Sequence, residues 1–139
     1  MFVHETKVRV RYAETDKMGY LYYGNYPSYY EVGRVEAMRF LGIRYRDLED
    51  IHHIMMPVMS LNMRYVRPAY YDDLLTIKTY IRKLPLQNIT YHHEIFKENG
   101  SLVNGGSVKL CFVNMQDNKT VSTPSLLIDK LTPYFDKSA

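Results

Sequence analysis

Asp16 stands in the run Tyr12-Ala13-Glu14-Thr15-Asp16-Lys17-Met18-Gly19, between an alternating stretch and a tyrosine-rich segment with helical spacing. A carboxylate so placed can act as a nucleophile, or as a general base that delivers water. Helix N-termini carry unpaired N–H groups and about half a unit of positive charge, which favours negative charge developing beside them. The run therefore aims an acid at a place where an oxyanion could be held. An Asx-turn or a helix N-cap would use the same residue in the same pattern.

The elements that must position this acid follow from periodicity. Val8-Arg9-Val10-Arg11-Tyr12 alternates as a half-buried strand does, and Gly19 supplies the loose backbone for a turn toward Asn25. From Asn25 to Leu41 the spacing predicts a helix, with Tyr26, Tyr30, Gly33, Ala37 and Phe40 or Leu41 on one face and Arg34, Glu36 and Arg39 on others. Gly42 suits its end, and Asn25, or Ser28 with Glu31, suits its start. Gly33 and Ala37 are small where a core face usually carries bulk, so another backbone is expected to approach there.

The remainder reads mainly as strands. Leu61, Met63 and Tyr65 alternate within Met55 to Arg67; Leu75, Ile77, Thr79 and Ile81 mark the next strand; Ile89, Tyr91, His93 and Ile95 mark a third. Asn99-Gly100 is a hairpin signal leading into Leu102 to Asn114, where Gly105-Gly106 implies a bulge or close packing against the helix. A short helix is expected within Ser122 to Leu131. One strand, one long helix and four further strands make an α+β arrangement in a single domain, residues 1–139. Its uncovered edges predict self-association, most simply a two-fold dimer that continues the sheet.

Composition narrows the function. With 139 residues, 46% of them hydrophobic, the chain can bury one sizeable core but not two. No apolar run approaches a membrane span, and Met1-Phe2-Val3-His4-Glu5 lacks the regions of a signal peptide, so a cytoplasmic protein without membrane insertion is expected. The net charge of +3 is spread without a run, which disfavours nucleic acid yet allows local cations to hold a small phosphate-bearing ligand. Cys111, the single cysteine, reads as a buried structural thiol. His52-His53 and His92-His93 are the only pairs with a metal-like look. Adjacent strand residues point to opposite faces, so neither a metal nor a cofactor is expected. Serine-hydrolase elbows, Walker loops and dinucleotide fingerprints are absent from the sequence.

Tyr12 to Gly19, followed by Tyr22-Tyr23-Gly24-Asn25-Tyr26, resembles the hotdog-fold acyl-CoA thioesterases of the 4-hydroxybenzoyl-CoA thioesterase and YbgC type. The resemblance extends through Glu31, Glu36, Pro57-Val58, Arg67-Pro68-Ala69, Asp72-Asp73 and Pro124. It implies a five-stranded antiparallel sheet wrapped around one long helix, with active sites at dimer interfaces. It implies that Asp16 is the catalytic carboxylate, the second acid of an Asp-x-Asp motif whose first acid is Glu14 here. Tyr23 stands where YbgC-like members usually have histidine and hydroxybenzoyl enzymes have tyrosine; its backbone N–H would polarise the thioester carbonyl. Tyr12 matches a tyrosine of YbgC-like sites.

Thioester carbonyls are electrophilic because sulfur donates poorly into them, so one carboxylate beside an oxyanion site can suffice. The substrate implied is an acyl-CoA or an acyl-carrier-protein thioester, and the assembly a homodimer or homotetramer. Met59 and Ser60 could face the acyl group, and Arg82 and Lys83, with Arg64 and Arg67 behind them, could receive the nucleotide phosphates of coenzyme A. A hydratase of this fold would pair a histidine with an acid, and the helix from Asn25 to Leu41 has none. A non-catalytic binder of acyl-CoA or acyl-carrier protein is the alternative.

Overall fold

Alternation of apolar and polar side chains carries the sheet. The computed structural model describes residues 1–135. Strand β1 (Phe2–Arg9) buries Phe2 against the helix layer and turns Val3, Glu5, Lys7 and Arg9 outward. It begins earlier and stops sooner than the alternation around Val8 indicates. Val10 still exchanges main-chain hydrogen bonds with Asp72 and Asp73, but Tyr12–Glu14 then winds into a 3-10 turn, which removes Tyr12 from the strand.

Helix α1 (Tyr26–Phe40) starts with Pro27 in its first turn, a residue whose fixed φ and missing N–H suit that place. It ends at Leu41, followed by Gly42 at φ +84°, so the expected C-terminal glycine is in place. Ser28 lies inside the helix and caps nothing. Leu41, 7% exposed, takes the last core position, whereas Phe40 is 64% exposed. Arg34, expected on an outer face, is buried at 8% exposure. The reason is a second layer: α2 (Tyr45–Asp50) brings the Tyr45 hydroxyl to Arg34 and to the Tyr91 hydroxyl at 3.2 Å, which widens the covered stripe.

After α2 come β2 (Ile54–Met55), β3 (Val58–Tyr65), β4 (Leu74–Ile81), β5 (Asn88–Phe96), β6 (Leu102–Asn114), β7 (Lys119–Val121) and α3 (Ser125–Phe135). The five long strands form one antiparallel sheet in the order β1-β4-β5-β6-β3, and β2 and β7 pair with the far end of β6. This is the hotdog architecture that the resemblance implies. In β4 and β5 every second residue, from Leu75 to Ile81 and from Ile89 to Ile95, is buried under α1. Each fully buried aliphatic side chain contributes about 1.5–3 kcal/mol.

The sheet curls around α1 at its glycines. A β-carbon on Gly33 would lie 2.8 Å from Ile77 Cγ2, and one on Gly106 would lie 2.9 Å from the Tyr30 hydroxyl. Gly106 thus marks close packing, against the Asn62 carbonyl of β3 as well as Tyr30, whereas Gly105 has room; the register of β5 with β6 slips elsewhere, at Ile95/Phe96. The turn before β6 closes with Gly100 at φ +86°. Cys111 is half-buried and pairs with Asn88, which places it on the face away from the helix. No helix among the described residues is long and apolar enough to cross a membrane.

Candidate active site

Asp16 is fixed by its own loop. Its Oδ1 accepts hydrogen bonds from the N–H of Met18 (2.9 Å) and of Tyr20 (3.1 Å), and its own N–H donates to the Tyr20 carbonyl at 2.8 Å. Gly19 turns this loop at φ +82°. The residue is therefore an Asx-turn, yet only one carboxylate oxygen is used by it. Oδ2 has no partner among the described residues.

The helix head is tied to the same loop. Tyr22 donates its N–H to the Glu14 carbonyl at 2.9 Å, and Asn25 Nδ2 donates to the same oxygen at 2.8 Å. Asn25 is thus a strap between loop and helix, with no side-chain bond into the helix it precedes. The chain enters α1 through a 3-10 turn, Tyr23–Asn25, held by the Asn25 N–H on the Tyr22 carbonyl at 2.9 Å. The N–H groups of Tyr23 and Gly24 donate to no acceptor among the described residues. Free donors of this kind are what a helix head offers an anion.

Between these parts lies a cleft of about 290 Å³, lined by Asp16, Tyr23, Tyr26, Tyr65, Val66 and Arg67 among others. Tyr65 stands edge-on to Tyr26, with ring centroids 5.3 Å apart, and its hydroxyl donates to the Tyr23 carbonyl at 3.2 Å. Burial first, and then Tyr65, push the Tyr26 phenol up to about 12, so it stays neutral. Arg67 gives one guanidinium N–H to the Leu102 carbonyl at 2.9 Å. The cleft is a largely apolar slot to which Asp16 and Tyr23 both contribute.

The other residues singled out by sequence are distributed around this slot. Tyr12 is 74% exposed, with its ring 5.6 Å from that of Tyr71, and does not line the cleft. Met59 and Ser60 lie exposed on β3, where the pairing with β6 is irregular between Val58 and Ser60. Arg82 and Lys83 share a cleft of about 600 Å³ beyond the end of β4. Arg82 also lines a groove of about 460 Å³ with Arg64, His92 and Val66. Val66 lines both this groove and the Asp16 cleft.

Sequence reasoning did not find Tyr65, Val66 or Pro68 as cleft residues. They lie at the end of β3 and just after it, far from Asp16 in the chain, and only the sheet topology brings them near. Nor did it find Tyr29, whose hydroxyl donates to Glu14 Oε1 at 2.8 Å; its place one turn into the helix, opposite an acid, was the available signal. No three histidine, cysteine or carboxylate side chains cluster as metal ligands among the described residues.

Comparison with known proteins converges on one family. The model of the thioesterase superfamily matches residues 18–104. YneP of Bacillus subtilis is 31% identical over 135 residues, which cover 96% of this chain and 96% of that protein. The acyl-CoA thioesterase YbgC of Haemophilus influenzae is 27% identical over 117 residues, covering 84% of this chain and 85% of its own length. The crystal structure of DHNA-CoA thioesterase from Staphylococcus aureus superposes with a TM-score of 0.83 at 34% identity, covering 97% of this chain and 87% of the other.

Proposed function

The chain belongs to the thioesterase superfamily, and from that premise we propose that it hydrolyses an acyl-CoA thioester to the free acid and coenzyme A. The observation that carries the reading is the pinned Asp16: one oxygen held by two N–H groups, the other free, on an apolar cleft it shares with Tyr23. In the proposed reaction the thioester carbonyl oxygen takes the Tyr23 N–H, which stabilises the negative charge that forms there. Asp16 Oδ2 then follows one of two routes. It attacks the carbonyl carbon and expels the CoA thiolate, leaving a mixed anhydride that water hydrolyses, or it removes a proton from water as that water attacks.

The acyl group would lie against Tyr26, Tyr65 and Val66. The groove that shares Val66 with the cleft offers Arg64 and Arg82 to the phosphates of the nucleotide, and Lys83 follows Arg82 in the neighbouring cleft. A carrier-protein thioester would use the same slot.

A second copy would complete the site. Among the described residues β3 is an edge strand paired only with β6, and it exposes Val58 (52%), Met59 (54%), Leu61 (43%) and Tyr65 (51%). Unpaired, apolar edges of this kind pair with another chain. Pairing β3 with its copy makes a homodimer and brings Met59 and Ser60 to the partner's cleft, and Tyr12 would act only as a residue of its rim. Thiol release from a panel of aliphatic and aromatic acyl-CoAs tests the reading: release above buffer supports it, and binding without release would support a non-catalytic binder instead.

A further inference from the structure

Four donors converge on one residue, Glu14, that makes no contact with the cleft. Its carbonyl accepts from the Tyr22 N–H (2.9 Å) and Asn25 Nδ2 (2.8 Å), and its carboxylate Oε1 accepts from the Arg11 N–H (2.9 Å) and the Tyr29 hydroxyl (2.8 Å). The four come from both sides of the site. Arg11 opens the 3-10 turn before Asp16, Tyr22 and Asn25 frame the turn that presents the Tyr23 N–H, and Tyr29 belongs to the body of α1. Tyr29 is 2% exposed and cannot shift without disturbing the core. Burial, then the bond to Glu14, push its phenol upward, so it keeps the proton it donates.

We infer that Glu14 is a positioning residue, whose carboxylate locks the Asp16 loop onto α1 through Tyr29 and so sets the distance between Asp16 and the Tyr23 N–H. This rests on the proposed thioesterase reading. The turns that carry Asp16 and the Tyr23 N–H otherwise lie at the surface; Tyr12, Tyr22 and Tyr23 are all exposed. Among the described residues, no other side-chain hydrogen bond runs from the stretch before Asp16 to a buried residue of the helix. The lock needs an acceptor at Oε1 and a donor at Tyr29, but not a charge, because a neutral amide oxygen accepts the same two bonds.

The test compares Glu14→Gln, Glu14→Ala and Tyr29→Phe with the wild type by thiol release and by exchange of the Met18 and Tyr20 amides that hold Asp16. Misplacing reacting groups by about an ångström costs up to about a hundredfold, so Glu14→Ala and Tyr29→Phe are expected to lose at least about tenfold in kcat with KM changed less than about twofold. Their Met18 and Tyr20 amides should exchange faster than in the wild type. Glu14→Gln should keep kcat within about threefold and keep amide protection. In the double variant Glu14→Ala/Tyr29→Phe the loss should match Glu14→Ala alone, since both changes remove one lock.

Unchanged kcat and unchanged protection in Glu14→Ala would overturn the inference. So would a Glu14→Gln protein as inactive as Glu14→Ala, which would make the charge the essential property. If the wild type releases thiol from no substrate, the thioesterase reading fails by itself. The amide comparison then decides the lock: faster exchange in Glu14→Ala and Tyr29→Phe alone upholds it, and equal exchange rejects it.

Discussion

Gly33 of the long helix faces Thr79 of the sheet so closely that a β-carbon at Gly33 would stand 2.7 Å from the Thr79 hydroxyl oxygen. Two effects oppose each other in Gly33→Ala. Helix propensity favours alanine by about 0.5–1 kcal/mol, whereas overpacking a core costs about 1–3 kcal/mol. Thr79 cannot yield freely, because its hydroxyl is bonded to His93 Nδ1 at 3.0 Å. Overpacking should win, with a loss of about 1 kcal/mol or more in denaturant unfolding. A stabilised Gly33→Ala protein would show that the sheet can relax away from the helix.

The same His93 makes stability depend on pH. It is 1% exposed, and burial first, then Arg34 and His92, holds it down at about 3 from an ordinary value of 6.5. Between those values the unfolded chain binds a proton that the folded chain refuses, so stability falls as pH drops from about 6.5 toward 3. At pH 5 the cost is about 2 kcal/mol. Unfolding at pH 7 and pH 5 should show the wild type losing about that much more than His93→Gln. Equal losses in both proteins would place the acid sensitivity elsewhere.

The sequence disclosed whatever depends on local periodicity. Alternation marks β4 and β5, the Asn99-Gly100 turn marks the start of β6, and Tyr26, Tyr30, Gly33 and Ala37 mark the buried face of α1. Asp16 was legible because its loop is local, and its Asx-turn uses only residues up to Tyr20. The cover over Arg34 comes from α2, a second layer that helical spacing does not record. Cys111 was read as buried because the apolar run around it hides its alternation. Tyr65 and Val66 could not be assigned to the cleft, since their nearness to Asp16 depends on how β3 joins the sheet.

An exposed β3 edge predicts assembly. Light scattering of the purified protein should give at least twice the mass of one chain, and Leu61→Lys should shift it toward one chain, because a charge on a pairing edge opposes association. A wild type of single-chain mass that still turns over substrate would remove the two-fold site from the account.

Arg82 and Lys83 should matter for binding more than for chemistry. Charge-assisted bonds to phosphate are worth about 1.5–3 kcal/mol, so Arg82→Ala with Lys83→Ala should raise KM for acyl-CoA about tenfold or more while kcat stays within about twofold. The increase should shrink with added salt. An unchanged KM would move the nucleotide to another part of the surface.

In the proposed reaction the free oxygen of Asp16 performs the chemistry. Its direct test is steady-state thiol release by wild type and Asp16→Asn, a nearly isosteric change that keeps an oxygen for the Met18 and Tyr20 amides and removes the charge. Asp16→Asn should lose about a hundredfold or more in kcat with acyl-CoA binding preserved. Equal turnover by the two proteins would contradict it.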